Sequence, residues 1–433
     1  MWFLVKMFTF CTFTQIIKTL LVPTLEITAI GAVAVISTSC GSEKKDSIHV
    51  TDVTLNKPST TLFIDDTETL IPTILPEYAT DKSVAWTSSD TNVATVDSNG
   101  TITAVGLGNA AITVTTHDGG YTATCDVVVI NKQYVCVEAN ADSNLTLYNV
   151  EGNNPDLQYS MDGGASWNTV STDTYSWAIH IDQDQTLYLK GNNPDGWSHS
   201  TSKYSHFTIT GDVYLSGNVM GLVDNGTNTK FYIPCGYCFY DLFFKSTGIT
   251  SISKNFLPAK NLASYCYWQM FYGCSSLTTA PELPATTLAD SCYESMFQNC
   301  SSLTTAPNLQ VTTLSDGCYY AMFYGCTSLT QAPELPAITL AEGCYAWMFS
   351  NCTSLIVAPN LISKNLVNEC YNFIFFYCTS LATIKISYTG EYNDEYFNLW
   401  VNNVAESGTF YYNGDQTAQD FGLPIGWATQ PIN

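Results

Sequence analysis

Cysteine is the residue type in this sequence with the most chemistry to offer, and there are 16 of them. Ten recur as pairs eight positions apart: Cys266 and Cys274, Cys292 and Cys300, Cys318 and Cys326, Cys344 and Cys352, Cys370 and Cys378. A thiol can serve as nucleophile, metal ligand or half of a disulfide. With the intervening residues taken as largely helical, each pair would span ~12 Å, beyond the ~7 Å Cα limit of a disulfide. Equivalent cysteines of successive pairs on a helical flank would stand ~8 to 10 Å apart, again too far. The expectation is therefore small, buried, apolar side chains with free thiols. Cys235-Gly236-Tyr237-Cys238 has no second ligand pair at zinc-finger spacing, which argues against a metal there. Whether Cys125 pairs with Cys136, or Cys235 with Cys238, stays open on sequence.

The other chemistry-bearing residues are sparse. The five histidines, His49, His117, His180, His199 and His206, show no H-E-x-x-H or other ligand spacing. No phosphate-cradling glycine loop, nucleophile elbow or Cys/His signature occurs. Asp182-Gln183-Asp184 and Asp65-Asp66 could hold calcium, but loop acids of this kind are expected to be solvated. No metal, cofactor or catalytic residue is assigned, and the chain is expected not to be an enzyme. A glycoside hydrolase would need two carboxylates at a separation that only the fold sets, so hydrolysis ranks as the third reading.

Charge narrows the partners. The formal net charge is -23 and all 15 basic residues are lysines, so arginine is absent. Without basic patches to displace counterions or guanidinium forks to grip phosphate, nucleic acid is excluded as a partner. With 45% hydrophobic, 13% aromatic and 12% charged residues, the 433-residue chain is rich enough in apolar surface for two to four folded domains.

The elements that would position any site are dominated by a repeat. Residues 262–387 hold five 26-residue units, starting at Leu262, Leu288, Leu314, Leu340 and Leu366. A fixed period of this length predicts units that stack in series. Tyr267, Tyr293, Tyr319, Tyr345 and Tyr371 make one column, Phe271, Phe297, Phe323, Phe349 and Phe375 a second, and Leu277, Leu303, Leu329, Leu355 and Leu381 a third. At ~1.5 to 3 kcal/mol per fully buried large side chain, such columns are expected inside. Cys238, Phe239, Leu242, Phe243 and Ile249 mark a degenerate earlier copy, with Ser246 in place of its second cysteine, and residues 388–433 read as a closing cap. The M-F-x-G/N-C-S/T-S-L heart and A-P-E/N-L tail of each unit resemble the BspA-like leucine-rich repeats of bacterial surface proteins. That resemblance implies a secreted or surface-attached protein that adheres to host proteins or other cells. The period of 26 is longer than the 23 or so typical of the family, so a different curvature and binding surface are expected.

Ahead of the repeats, residues 48–130 alternate apolar and polar side chains between turn clusters, as in Val84–Ser88, Val93–Asp97, Gly100–Ala104 and Gly108–Val114, with a hairpin turn at Asp97-Ser98-Asn99-Gly100. This pattern resembles the group 2 bacterial immunoglobulin-like domain, which implies a spacer or adhesive module. Residues 131–233 read as a second β-sandwich. Within it, Ser160-Met161-Asp162-Gly163-Gly164-Ala165-Ser166-Trp167 resembles the Asp-box of sialidase propellers, a structural hairpin. One copy and no arginine rule out sialidase chemistry.

Lys6 and Lys18 precede an apolar run, Ile27–Ile36, that ends at Ser37-Thr38-Ser39-Cys40-Gly41. This resembles a lipoprotein signal peptide, with Cys40 as the lipid-attachment residue; the translation start stays open on sequence. Pro23 and Glu26 leave far fewer than the ~20 apolar residues a membrane span requires. The fold expected is mostly β: signal peptide 1–40, tether 41–47, immunoglobulin-like β-sandwich 48–130, second β-sandwich 131–233, leucine-rich-repeat solenoid 234–387 and cap 388–433. The function expected is a cell-surface lipoprotein, held at the bacterial outer membrane by lipid alone, that binds an unknown macromolecule, protein or glycan. Partner-binding candidates are the repeat positions that vary: Trp268, Gln269, Tyr272, Glu294, Gln298, Tyr320, Tyr324, Trp347 and Phe376. The alternative is a glycan-binding accessory protein for polysaccharide uptake, with the middle sandwich as lectin.

Overall fold

The computed structural model describes residues 47–432, apart from 65, 131–132, 151 and 228–230. The expected signal peptide and Cys40 lie outside the described residues. Within them the chain is mostly β, with just two helices, Gly221–Asp224 and Asp394–Phe397. No helix among the described residues is long and apolar enough to cross a membrane.

The immunoglobulin-like segment follows from its alternation. Gly108–Thr116 pairs antiparallel with Val84–Ser88 on one side and Thr122–Ile130 on the other, and Ser59–Phe63 joins Thr122–Ile130 in parallel. Thr101–Ala104 lies between Thr67–Thr69 and Ala94–Val96 in a second sheet, and Asp52–Leu55 pairs with Pro72–Leu75. Every second residue of Gly108–Thr116 turns inward, so Ala110, Ile112 and Val114 are buried. Ala110 and Ile112 meet Leu62, Leu70, Ile102 and Val127 in a small core of their own. Gly100 closes the hairpin at φ +82°, where a Cβ would lie 2.6 Å from Trp86 Cζ2 and 2.7 Å from the Leu70 carbonyl oxygen. Asp97 Oδ1 accepts from the backbone N–H groups of Asn99 and Thr101, both at 2.8 Å, which fixes that turn.

In the middle segment the 15-residue strand Val135–Asn149 pairs with Ser205–Gly217 along its length, through two irregularities. Its first half also pairs with Thr186–Lys190 and its second with Ser176–Ile181. The far edge of the sheet is Ile249–Ile252, a parallel strand from inside the degenerate first repeat. One hydrophobic core runs from Val135 to Trp427, crossing the boundary expected between residues 233 and 234. A stack of repeats must hide its first apolar edge, and here the middle sheet covers it.

The repeats hold together unit to unit. In the first, the backbone N–H groups of Tyr265, Tyr267, Gln269, Phe271 and Gly273 donate to the carbonyls of Asp290, Cys292, Glu294, Met296 and Gln298 of the second, at 2.8 to 3.0 Å. The residues between them, Cys266, Trp268, Met270, Tyr272 and Cys274, donate back three positions within their own unit. The interval between paired cysteines is thus a ribbon of consecutive turns and not the helix expected from sequence. Its cause is a left-handed residue every fourth position, such as Tyr265 (φ 59°), Gln269 (φ 55°) and Gly273 (φ 70°). Positive φ breaks an α-helix at each of these points and turns alternate N–H groups toward the next unit.

Neighbouring units therefore lie at hydrogen-bonded strand spacing, ~4.8 Å, and not at the 8 to 10 Å of packed helices. The columns stack on themselves accordingly. Tyr267 and Tyr293 sit 5.7 Å apart at 8°, Phe271 and Phe297 5.7 Å apart at 4°. Leu277, Leu303, Leu329, Leu355 and Leu381 are fully buried. A fourth inward column, Met270, Met296, Met322, Met348 and Ile374, is equally buried. The cap opens as a further rung: the N–H groups of Tyr371, Phe373 and Phe375 donate to Tyr396, Asn398 and Trp400. It ends in the parallel strands Ser407–Tyr411 and Gly426–Gln430 beside Thr383–Ile386.

Candidate binding face of the repeats

The nine variable positions fall into three columns of the turn ribbon. Trp268, Glu294 and Tyr320 share one, Gln269 and Trp347 the second, and Tyr272, Gln298, Tyr324 and Phe376 the third. All nine are half-buried, between inward columns and solvent. Two aromatic clusters stand out on this face. Towards the C-terminal end, Trp347 lies flat on Phe373 at 4.0 Å and 8°, with Phe376 at 5.8 Å and Tyr324 at 6.2 Å. Phe376 in turn contacts Tyr377 at 4.6 Å. Trp347, Phe373 and Tyr377 all hold positive φ, between 55° and 60°. That conformation costs a bulky residue of order 1–3 kcal/mol and here projects large rings to the outside.

The second cluster surrounds the first unit. Trp268 packs on Tyr240 at 5.0 Å and Tyr265 at 5.6 Å, and Tyr237 stacks on Tyr265 at 4.8 Å and 4°. The rings continue into the middle segment, with Tyr204 5.0 Å from Tyr240 and His206 stacked on Tyr204 and Tyr148. Tyr272 stacks on Phe244 at 5.2 Å and its hydroxyl accepts from Asn299 at 3.1 Å. The candidates chosen from variation among repeats did not include Tyr237, Tyr240 or Phe244, which belong to the degenerate copy, nor Phe373, in the column of Gln269 and Trp347, nor Tyr377, which stands where other units carry Gly or Asn.

Polar groups at this junction lack partners. Asp241 Oδ1, Trp268 Nε1, Tyr267 Oη and His206 Nδ1 are buried without a hydrogen bond. Burial pushes the Asp241 carboxyl up to about 7 against the pull of Tyr240 and Lys245, and drives His206 down to about 4. It also raises the Glu294 carboxyl, against a hydrogen bond from Ser291.

The remaining sequence candidates are placed as follows. Asp162 accepts from Ser160 Oγ, Ser166 N and Ser166 Oγ at 2.6 to 2.9 Å, and these bonds lower its carboxyl to about 2. That is the hairpin role expected of the Asp-box, and Trp167 beside it packs on Tyr134 and under Lys190. Asp66 caps its own turn, accepting from Phe63 N at 3.1 Å, while Asp65 lies outside the described residues. Asp182 shares an exposed group with Asp142 and His180 whose ligand atoms lie within 4.8 Å of one another. The ten repeat cysteines carry free, buried thiols, as does Cys125, which therefore does not pair with Cys136. Equivalent cysteines stand one rung from each other, closer than packed helices would place them, and the thiols of the second column are directed at phenylalanine carbonyls one unit back.

Comparison with known proteins adds one domain. The family model for the bacterial Ig-like domain (group 2) matches residues 49–127. This segment is a group 2 bacterial immunoglobulin-like domain. Matches of similar length occur in an uncharacterised protein of Clostridium acetobutylicum, 50% identical over 82 residues, covering 19% of this chain and 21% of the relative. An α-L-arabinofuranosidase of Bifidobacterium longum is 43% identical over 83 residues, covering 19% and 8%, and an Ig-like virion protein of Serratia phage KSP90 is 39% identical over 83, covering 19% and 32%. The chain thus spans less than a third of the length of these relatives. A marsupial T cell receptor aligns with 37% of this chain and 99% of its own, at 11% identity and a TM-score of 0.13, too low to carry an argument.

Proposed function

We propose that the chain is a bacterial cell-surface lipoprotein, lipid-anchored through Cys40 at the outer membrane, that binds a macromolecular partner and catalyses no reaction. In this reading the immunoglobulin-like domain and the middle sheet hold out a BspA-like leucine-rich-repeat solenoid, and the outward columns of the repeats make the contact. The observation that carries it is the division of labour within each unit. Identical residues point inward and the variable ones stay half-exposed, gathering Trp347, Phe373, Phe376 and Tyr377 into one patch. Partly exposed aromatics with low side-chain entropy are what binding surfaces use as anchors.

The test is binding of the exported chain to immobilised matrix proteins and to whole host or bacterial cells. A partner captured by the wild type should be lost or weakened at least about tenfold in Trp347→Ala with Phe376→Ala, since central aromatic anchors carry 2 kcal/mol or more. Undiminished binding by that variant would sink the assignment of this face.

A second reading, glycan binding for polysaccharide uptake, draws on the other aromatic cluster, where Asp241, Trp268 and His206 offer unsatisfied polar atoms among stacked rings. The matched Ig-like segment also occurs in the α-L-arabinofuranosidase and in a κ-carrageenase of Pseudoalteromonas carrageenovora. Retention on a glycan array, abolished by Trp268→Ala and not by Trp347→Ala, would favour this reading over the first.

A further inference from the structure

Among the thirteen free thiols of Cys125, Cys235, Cys238 and the ten repeat cysteines, Cys235 alone is half-exposed; the others are buried. It opens the Cys235-Gly236-Tyr237-Cys238 turn at the entrance to the first unit, where its thiol donates to the Ser198 carbonyl at 3.7 Å, while Cys238 is fully buried. Both sulfurs rest on one glycine. A Cβ on Gly196 would lie 2.3 Å from Cys235 Sγ and 3.6 Å from Cys238 Sγ, so both sulfurs border this one position and a side chain there would displace Cys235. The loop carrying Gly196 is fixed there, with Gly196 N–H donating to Asn193 at 2.9 Å and Ser198 N–H to the Cys238 carbonyl at 2.9 Å.

The two thiols also differ as a nucleophile and a resolving group should. The neighbouring Cys238 thiol draws the Cys235 thiol below its ordinary value, whereas burial pushes Cys238 well above. The second cysteines of the repeats are arranged otherwise. Each gives its S–H to a phenylalanine carbonyl one unit back, as Cys274 does to Phe243 at 3.2 Å.

We propose that Cys235 and Cys238 form a redox-active dithiol that closes to a disulfide by exchange with an external disulfide. The Cys235 thiolate attacks one sulfur of the oxidant, whose S–S bond breaks as a mixed disulfide forms and the first thiolate leaves. Cys238 passes its proton to that leaving thiolate and attacks the Cys235 sulfur, expelling a second thiolate that takes up the proton Cys235 released on ionising. Two electrons and two protons pass in all to the oxidant, which leaves as two thiols.

The test uses the full chain and oxidised glutathione. Folded protein is treated or left untreated, alkylated with iodoacetamide and mapped by mass spectrometry before and after reduction. Before treatment Cys235 should alkylate at least about tenfold faster than any repeat cysteine. After treatment a Cys235–Cys238 disulfide should appear and the repeat cysteines stay unmodified. Cys238→Ser should trap glutathione on Cys235, and Cys235→Ser should take up none. Oxidation of the repeat cysteines ahead of this pair, or equal alkylation of Cys235 with and without oxidised glutathione, would overturn the proposal. Because the wild-type chain alone gives these readouts, a misfolded variant does not decide the outcome, and neither does the identity of any binding partner.

Discussion

Cys300 Sγ donates a hydrogen bond to the carbonyl oxygen of Phe271, 3.2 Å away and one unit back. The same bond recurs from Cys274, Cys326, Cys352 and Cys378 to Phe243, Phe297, Phe323 and Phe349, at 2.9 to 3.2 Å. Each of these carbonyls already accepts from a backbone N–H of its own turn. The second cysteine column therefore links units through side chains while filling a small buried space, which neither alanine nor a larger apolar residue would do.

Cys326→Ala is accordingly expected to cost about 1–2 kcal/mol, from the lost bond and the small void. Denaturant titration of the full chain should register this as a lower midpoint for the repeat transition. Burial pushes the thiols of Cys274 and Cys378 up to about 12. These columns should thus resist alkylation at pH 8 until the chain unfolds, and prompt labelling of the folded protein would contradict the packing.

Leu329 is fully buried between Leu303 and Leu355 in its column. Leu329→Asp places a carboxylate there with no partner, a change expected to abolish cooperative folding of the repeats. Thermal unfolding followed by circular dichroism checks this, and a melting curve like that of the wild type would show the leucines to be outside.

How much of this was legible in the sequence depended on whether one residue type filled a position. Tyrosine, phenylalanine and leucine recurring in register announced their own burial. The turn ribbon did not show, because it rests on backbone φ at positions whose side chains disagree: Gly273, Asn299, Gly325, Asn351 and Tyr377 form one left-handed column. Glycine and asparagine there hint at positive φ, but tyrosine hides it. Likewise, the first-unit cluster needs Tyr204 and His206 from a distant strand, and only the shared sheet brings them to Tyr240.

Gly100→Ala tests the immunoglobulin-like domain separately. At φ +82° an added methyl would meet Trp86 and the Leu70 carbonyl, and neither can retreat without opening the core. A loss of about 1–3 kcal/mol is expected, carried by the domain's own transition. Hydrogen exchange in Val84–Ser88 and Gly108–Thr116 should quicken while the repeats stay protected.

Asp241 gives the protein a pH dependence of definite sign. Its carboxyl titrates at about 7 when folded, against an ordinary 3.8, with burial as the main cause and with Tyr240, Tyr204 and Lys245 as its ionisable neighbours. Between these values the unfolded chain has released the proton and the folded chain has kept it, so stability falls as pH rises through this window. The loss is on the order of 4 kcal/mol at most, at 1.36 kcal/mol per unit. His206, depressed to about 4, acts in the opposite sense and loses its contribution as pH falls from 6.5. Comparing wild type with Asp241→Asn cancels that second effect. Asparagine has nearly the same size and shape as the carboxylic acid and tolerates the φ of 55° at this position. The variant should match the wild type near pH 4 and melt at a higher temperature above pH 7. A difference that stays constant from pH 4 to 8 would mean that Asp241 is ionised throughout.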